Sequence, residues 1–343
     1  MTIAISRLTP IVEDFSLTIK RGEIVALVGE SGSGKSVTAQ SLMGLLPAPL
    51  TTTGGRIFVS GDDIVGASPK VLDGIRGNKV GMIFQQPMSM LDPTSRIASQ
   101  VGEALRIHGV VDRKTAWSKS IELLSEVGIP DPERRARSYS HQLSGGMAQR
   151  VMIACALSGN PDLLIADEPT TALDVTVQAQ ILSLLVKERQ RRNLSILLIT
   201  HDLSVVSAMV DRVVVMYAGR IVEEGPAEAV MRDPRHPYTA ALVHCSLMQT
   251  SDTGDLYTIP GKVPQPSESQ VGCRFHARCT DAYAGEEGSR CGEEEPMLTA
   301  FHRHRKVRCW AARRGGAETW EAETGVEAVE SDRRPGDVAP ERS

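Results

Sequence analysis

Gly29-Glu30-Ser31-Gly32-Ser33-Gly34-Lys35-Ser36 follows the apolar run Ile24-Val25-Ala26-Leu27-Val28 and opens a stretch of helical character. The octet fits G-x-x-x-x-G-K-[ST] in the strand-then-helix context which that pattern requires. Its glycines let backbone N–H groups turn inward around a phosphate. The helix start adds its dipole to the same anion site. Lys35 is placed to neutralise β- and γ-phosphates, and the Ser36 hydroxyl to ligate Mg²⁺. Gly29, Glu30, Ser31, Gly32, Ser33, Gly34, Lys35 and Ser36, with Val37 after them, are therefore the candidate nucleotide-binding residues. The bland alternative is a Gly/Ser turn with an incidental lysine, and the flanking strand and helix argue against it. Alone, the octet specifies only a nucleoside triphosphate site.

Further along, Leu163-Leu164-Ile165-Ala166 is an aliphatic strand ending in Asp167 and Glu168. Alternation along a strand makes the two acids diverge, at the edge where open α/β sheets bind ligands. The natural division of labour has Asp167 hold Mg²⁺ and Glu168 polarise the water that attacks the γ-phosphate. Taken alone, the pair reads equally well as a solvated strand end. Leu198-Ile199-Thr200-His201-Asp202 is a second strand with a polar end, and His201 is a candidate to meet the γ-phosphate or orient the water. A histidine there is more often structural when nothing else points to it.

Leu143-Ser144-Gly145-Gly146-Met147-Ala148-Gln149-Arg150 opens another helix. Ser144 is a good N-cap, and Gly145 and Gly146 leave amides open to an anion. One triphosphate does not need two such cradles in one subunit. Two copies arranged head to tail would use both, each Ser144 loop closing the other copy's nucleotide.

The chain has 343 residues, 41% hydrophobic and 23% charged, with a formal net charge of −4. That length suggests about two domains. The charge argues against a partner bound through bulk positive potential, so no nucleic acid is expected. No stretch approaches the ~18 uninterrupted apolar residues of a membrane span. The N-terminus MTIAISRLTP has no basic-then-apolar leader pattern, so a secretory signal is not expected.

Strand candidates are Glu23–Val28, Lys79–Phe84, Leu163–Ala166, Ser195–Thr200 and Arg212–Tyr217. Helix candidates are 35–46, 147–158, 174–192 and 203–209, a βα alternation that implies an α/β fold. Residues 86–142 lack a strand signal. Segments 95–108 and 114–127 have helical spacing, which predicts a helical subdomain. Residues 250–312 turn rich in Pro, Gly, Cys and charge with little periodicity, and disorder is expected over 313–343.

These motifs resemble, in order and spacing, the ATP-binding subunit of an ABC transporter. Gly29–Ser36 matches that family's Walker A, LSGGMAQR its signature, and Leu163–Glu168 its Walker B with the catalytic glutamate. Thr171-Ala172-Leu173-Asp174 is similar to its D-loop, and His201 to its switch histidine. Phe84-Gln85-Gln86-Pro87 is similar to its Q-loop, with Gln85 as the glutamine that senses Mg²⁺ and the γ-phosphate. Lys35 to Gln85 spans 50 residues, Gln85 to Ser144 59, Ser144 to Asp167 23 and Glu168 to His201 33.

The resemblance covers residues ~10–235. It implies a P-loop NTPase cassette over 1–240, with a mixed sheet core, an antiparallel β edge and the helical subdomain. It implies Glu168, His201 and Gln85 as catalytic residues, and Ser36, Gln85 and Asp167 around Mg²⁺. ATP would be sandwiched with Ser144, Gly145, Gly146 and Asp174 of a second cassette. The family usually stacks an N-terminal aromatic residue on adenine. Residues 1–14 contain no Phe, Tyr, Trp or His, so that platform is either missing or encoded upstream of Met1.

Two stretches are similar to oligopeptide/dipeptide permease ATPases: Phe84-Gln85-Gln86-Pro87-Met88-Ser89-Met90-Leu91-Asp92-Pro93, and Arg235-His236-Pro237-Tyr238-Thr239-Ala240-Ala241-Leu242. A third is the cysteine group of a small extension over 241–312: Cys273, Cys279, Cys291 and Cys309, spaced C-x5-C-x11-C-x17-C. Four thiols can bind a metal and staple a segment that lacks its own core. The spacing has no C-x2-C knuckle and fits common zinc sites poorly. The resemblance implies a [4Fe–4S] cluster in some members of this subfamily. His276, His302 and His304 lie nearby as substitute ligands, and four thiols without metal remain the alternative. Cys155 and Cys245 read as ordinary small core residues.

The expectation is an ATPase subunit of a peptide importer, peripheral on the cytoplasmic face of the inner membrane. Its implied partners are two transmembrane permease subunits, a second ATPase subunit or second copy, and indirectly an extracytoplasmic substrate-binding protein. Importers for nickel chelates, opines or oligosaccharides share the same cassette chemistry. An ABC ATPase acting on DNA or ribosomes is the rival of another class; a single cassette without a long heptad stretch or basic bias argues against it.

Overall fold

A computed structural model describes residues 1–313 apart from 6–8, 204–205, 207–208, 248–256, 269–270, 281–286 and 302–303. The helix expected over 203–209 falls largely outside the described residues, as do His302 and the expected disorder over 314–343.

Thirteen strands occur among the described residues: Thr2–Ala4 (β1), Pro10–Val12 (β2), Ile24–Val28 (β3), Thr51–Gly54 (β4), Phe58–Val59 (β5), Asp62–Asp63 (β6), Val80–Ile83 (β7), Leu163–Asp167 (β8), Ser195–Thr200 (β9), Arg212–Tyr217 (β10), Arg220–Pro226 (β11), Thr299–Phe301 (β12) and Arg305–Val307 (β13). Eight of them form one sheet in the order β12-β13-β11-β10-β3-β9-β8-β7. The run β10, β3, β9, β8, β7 is parallel throughout. β3, β7 and β9 are buried at every residue, as strands covered on both faces must be. Their alternate side chains feed separate cores. Ile196 and Leu198 face the helical side, together with Ile97, Leu124, Ile153 and Leu185. Leu197 and Ile199 face the opposite side, with Val12, Val25, Leu27 and Ala39.

The antiparallel edge is made by β2-β1-β4 and the hairpin β5-β6. The insertion after Gln85 is helical as expected, with helices Pro87–Met90, Ile97–Val101, Glu103–Ile107, Arg113–Glu126 and Pro132–Ala136. Caps locate the helix starts: Asp112 accepts from the Thr115 N–H, Ser144 from Met147 and Asp174 from Val177. The helix Val175–Arg192 ends with Arg189, Arg191 and Arg192 against its negative pole and Asn193 in the left-handed region.

The extension departs from its sequence reading. Its two short strands are not loop: β13 pairs antiparallel with β11, through Glu223 opposite Val307 and Glu224 opposite Lys306. β12 then pairs with β13, so the extension lengthens the cassette's own sheet. Strands of three residues with Arg305 and Lys306 among them carry no readable alternation. Buried Glu223 holds the register: it accepts from the Arg305 guanidinium at 2.7 Å and from the Arg235 and His236 N–H groups. With acceptors and donors matched, the buried carboxylate avoids the penalty of an isolated charge.

Candidate active site

The phosphate loop leaves β3 at Gly29 and enters the helix Lys35–Leu42. Gly29 has φ +153° and packs so closely on β10 that a Cβ would stand 2.2 Å from the Met216 carbonyl oxygen. Gly34 has φ +100°, and a Cβ there would meet Met216 Cε at 3.0 Å and Val12 Cγ2 at 3.1 Å. No larger residue fits either position without strain. Val12 and Met216, both fully buried, pack beneath the loop.

Lys35 is 6% exposed. Its Nζ donates to the Gly29 carbonyl at 2.8 Å, the Glu30 carbonyl at 2.9 Å and Ser33 Oγ at 3.4 Å. Burial pulls the ammonium below its ordinary pKa, while Glu168, Asp167 and Glu30 favour its charged form. Ser31 and Gly32 form the exposed crown of the loop, and Val37 is half-buried against the second core. Ser36 Oγ donates to Asp167 Oδ1 at 3.1 Å, joining the two candidate Mg²⁺ ligands of the loop and of β8. Burial raises the Asp167 carboxyl above the usual range and Glu168 adds to this, against Ser36 and Lys35.

Glu168 stands immediately after β8 with φ 47°, an uncommon conformation for a residue with a side chain. That turn aims its carboxylate at three partners. Gln85 Nε2 donates to Oε2 at 2.7 Å, Thr171 Oγ1 donates to the same oxygen at 2.9 Å, and His201 Nδ1 lies 3.2 Å from Oε1. Burial raises the Glu168 carboxyl, but the hydrogen bonds from Thr171 and His201 and the charge of Lys35 outweigh it and the net shift is downward. A carboxylate ionised, oriented and next to the phosphate loop is what a general base for water requires. Gln85, Glu168 and His201, named from sequence, are thus brought together. Thr171 as a second anchor of Glu168 was missed; its place three residues after the glutamate, in the D-loop, was the available signal.

Ser144 and Asp174 cap their own helices. Gly146 packs beside the second of these, a Cβ there standing 3.1 Å from Val177 Cγ1. Among the described residues no hydrogen bond joins Ser144, Gly145 or Gly146 to the phosphate loop of the same chain.

The four extension cysteines lie in one neighbourhood. Cys273 N–H donates to the Cys291 carbonyl at 2.7 Å. Burial pushes the Cys273 thiol up to about 12, and Cys309, Cys291 and Cys279 each add to the rise. Among the described residues no group of three or more His, Cys, Asp or Glu gathers closely enough to hold a metal ion. Cys155 packs on the helical-side core, where burial pushes its thiol up to about 12.

A glycine-rich loop between strand and helix around Lys35, a carboxylate oriented by three side chains beside it and a second serine-capped helix start are the layout of a P-loop ATPase of the cassette type. The family model "ABC transporter" matches residues 12–171, and "Oligopeptide/dipeptide transporter, C-terminal region" matches 222–285. The dipeptide transport ATP-binding protein DppD of Escherichia coli is 44% identical over 298 residues, covering 87% of this chain and 90% of that protein. The oligopeptide transport ATP-binding protein OppD of Lactococcus lactis is 48% identical over 255 residues, 74% of this chain and 75% of that one. Among solved structures, a dimeric ATP-binding cassette in a post-hydrolysis state with ADP and Pi matches with TM-score 0.57 and 30% identity. It covers 64% of this chain and 91% of its own. CbiO1 of Clostridium perfringens, part of an ABC transporter complex, matches with TM-score 0.57 and 29% identity over 66% of this chain and 85% of its own. The chain belongs to the ABC transporter ATP-binding proteins, in their oligopeptide/dipeptide transporter group. Hydrolysis of ATP to power transport is the activity of that family.

Proposed function

We propose that this chain is the ATP-hydrolysing subunit of an importer for di- and oligopeptides. The carrying observation is the match of its C-terminal element to the oligopeptide/dipeptide group, because the catalytic motifs are common to cassettes of every cargo. The phosphate loop of one cassette and the Ser144–Gly146 helix start of a second enclose one ATP between them. Lys35 neutralises the β- and γ-phosphates. Ser36 and Asp167 would hold a Mg²⁺ ion, with Gln85 close by, which neutralises charge on the transferring phosphoryl group. Glu168 takes a proton from the attacking water as its oxygen bonds to the γ-phosphorus and the bond to ADP breaks. His201 and Thr171 keep that carboxylate aimed.

Two membrane permease subunits supply the channel and place the chain at the cytoplasmic face of the inner membrane; among the described residues no helix is long and apolar enough to cross it. The helical subdomain over 86–142 is the docking face. Met88 and Met90, 45% and 56% exposed, lie three and five residues after Gln85 and give that face an apolar start. Cells lacking this chain are expected to lose uptake of labelled di- and tripeptides and to regain it on complementation. Unchanged peptide uptake, with loss of nickel chelate, opine or oligosaccharide uptake instead, would overturn the cargo assignment.

The proposal extends to a [4Fe–4S] group on Cys273, Cys279, Cys291 and Cys309. Its support is the resemblance of this extension to the oligopeptide/dipeptide group and the closeness of Cys273 to Cys291, whose carbonyl accepts from the Cys273 N–H at 2.7 Å. Thiolates on such a cluster bind separate irons and need not meet at one ion. Protein purified without oxygen is expected to contain about four irons per chain and to absorb broadly near the visible–ultraviolet boundary. Colourless, iron-free protein counts against the cluster and for zinc or unmetallated thiols.

A further inference from the structure

Glu30, the first variable residue of the phosphate loop, is held from the C-terminal extension. Its two carboxylate oxygens accept from both terminal nitrogens of Arg278, at 2.8 and 3.0 Å. Its N–H donates to Tyr238 Oη at 2.8 Å, and its carbonyl accepts from Lys35 Nζ. Every polar group of this residue therefore has a partner, two of them on elements far along the chain.

Arg278 is built to act as a fixed point. Its side chain is 6% exposed. Its Nε donates to the Pro260 carbonyl at 2.6 Å, and one terminal nitrogen also reaches Tyr217 Oη at 3.3 Å. The guanidinium lies over Tyr217 and Phe275, 5.7 and 5.9 Å from the ring centroids. Those rings pack with Tyr238 at centroid distances of 4.6 to 5.3 Å. A planar fork locked on an aromatic bed grips a carboxylate with little ordering cost. Two neighbouring arginines fasten the same extension to the residues just after β2: Arg274 pairs with Glu13, and Arg308 with Asp14 at 2.7 Å.

We propose that Arg278 is a positioning residue for ATP binding: it neutralises and anchors Glu30, so that the extension holds the phosphate loop in its receiving conformation. Without Arg278, an unpaired carboxylate would stand at the loop that must accept a polyanion, and the Glu30 peptide would lose one of its restraints. The inference rests on the ATP site and is independent of cargo and of any metal on the cysteines.

The test uses the full-length chain, a fluorescent ATP analogue and steady-state ATPase kinetics. Arg278→Ala is expected to weaken binding and raise the KM for ATP about tenfold, the loss of a charged bidentate contact, while kcat stays within about twofold. Arg278→Lys keeps the charge without the fork and is expected to lose about threefold; it carries the test should the alanine variant not fold. Combining Arg278→Ala with Glu30→Gln is expected to return affinity to within about twofold of Glu30→Gln alone, since the carboxylate that needed the arginine is gone. Unchanged affinity in Arg278→Ala and Arg278→Lys would overturn the proposal. So would a double variant weaker than Glu30→Gln alone by the full factor that Arg278→Ala costs the unaltered chain, because an arginine that merely folds the extension is not rescued at Glu30. Failure of the unaltered chain to bind the analogue would instead refute the ATPase reading.

Discussion

Replacing Glu168 by glutamine is expected to slow ATP turnover about 1,000-fold while ATP still binds, because a positioned general base contributes on that order. The geometry explains the separation of the two effects. Glu168 touches Gln85, Thr171 and His201, whereas the loop that receives the phosphates is held by Lys35 and its own backbone. An amide of the same shape can keep one acceptor and one donor in that network, but it cannot take a proton from water. ATP then stays uncleaved between two cassettes, so the variant with ATP is expected to run as a dimer on gel filtration and the unaltered chain to return to its starting state as hydrolysis proceeds. Turnover within tenfold of the unaltered rate would remove Glu168 from the catalytic role.

Lys35→Ala is expected to weaken ATP binding about 100-fold in a nucleotide titration. Charged hydrogen bonds contribute roughly 1.5–3 kcal/mol each, and this lysine is the charged donor of the cradle. It also ties the loop together, crossing to Gly29, Glu30 and Ser33. Alanine removes both the attraction for phosphate and three internal restraints. The carboxylates of Asp167 and Glu168, whose fields favour the charged lysine, would be left facing the phosphates without it. Unaltered affinity would show that backbone amides alone hold the nucleotide.

Much of this site was readable in one dimension. The phosphate loop, the two acids at the end of β8 and the histidine after β9 each follow a short aliphatic run, and buried parallel strands write themselves as such runs. The Ser144 cap was equally plain, because capping is a local event between residues three apart. The helical insertion showed its period. What was not legible lies in the extension and in the third side chain on Glu168. β12 and β13 are too short to alternate, and only the free edge of β11 makes them strands.

Contiguous motifs, through their resemblance to the ABC ATP-binding subunits, determined the class by themselves: an ATP-binding cassette, with Glu168, Gln85 and the Ser144 helix start as its candidate base, sensor and inter-subunit cradle. Each of these is carried by contiguous residues, so local sequence suffices. Tertiary structure alone decided that the cysteine-bearing extension is part of the sheet and reaches the nucleotide site. Arg278 meets Glu30 across 248 positions of chain. No periodicity or spacing encodes such a pair, because an ion pair forms wherever folding brings two charges together, and only the folded chain fixes which two those are.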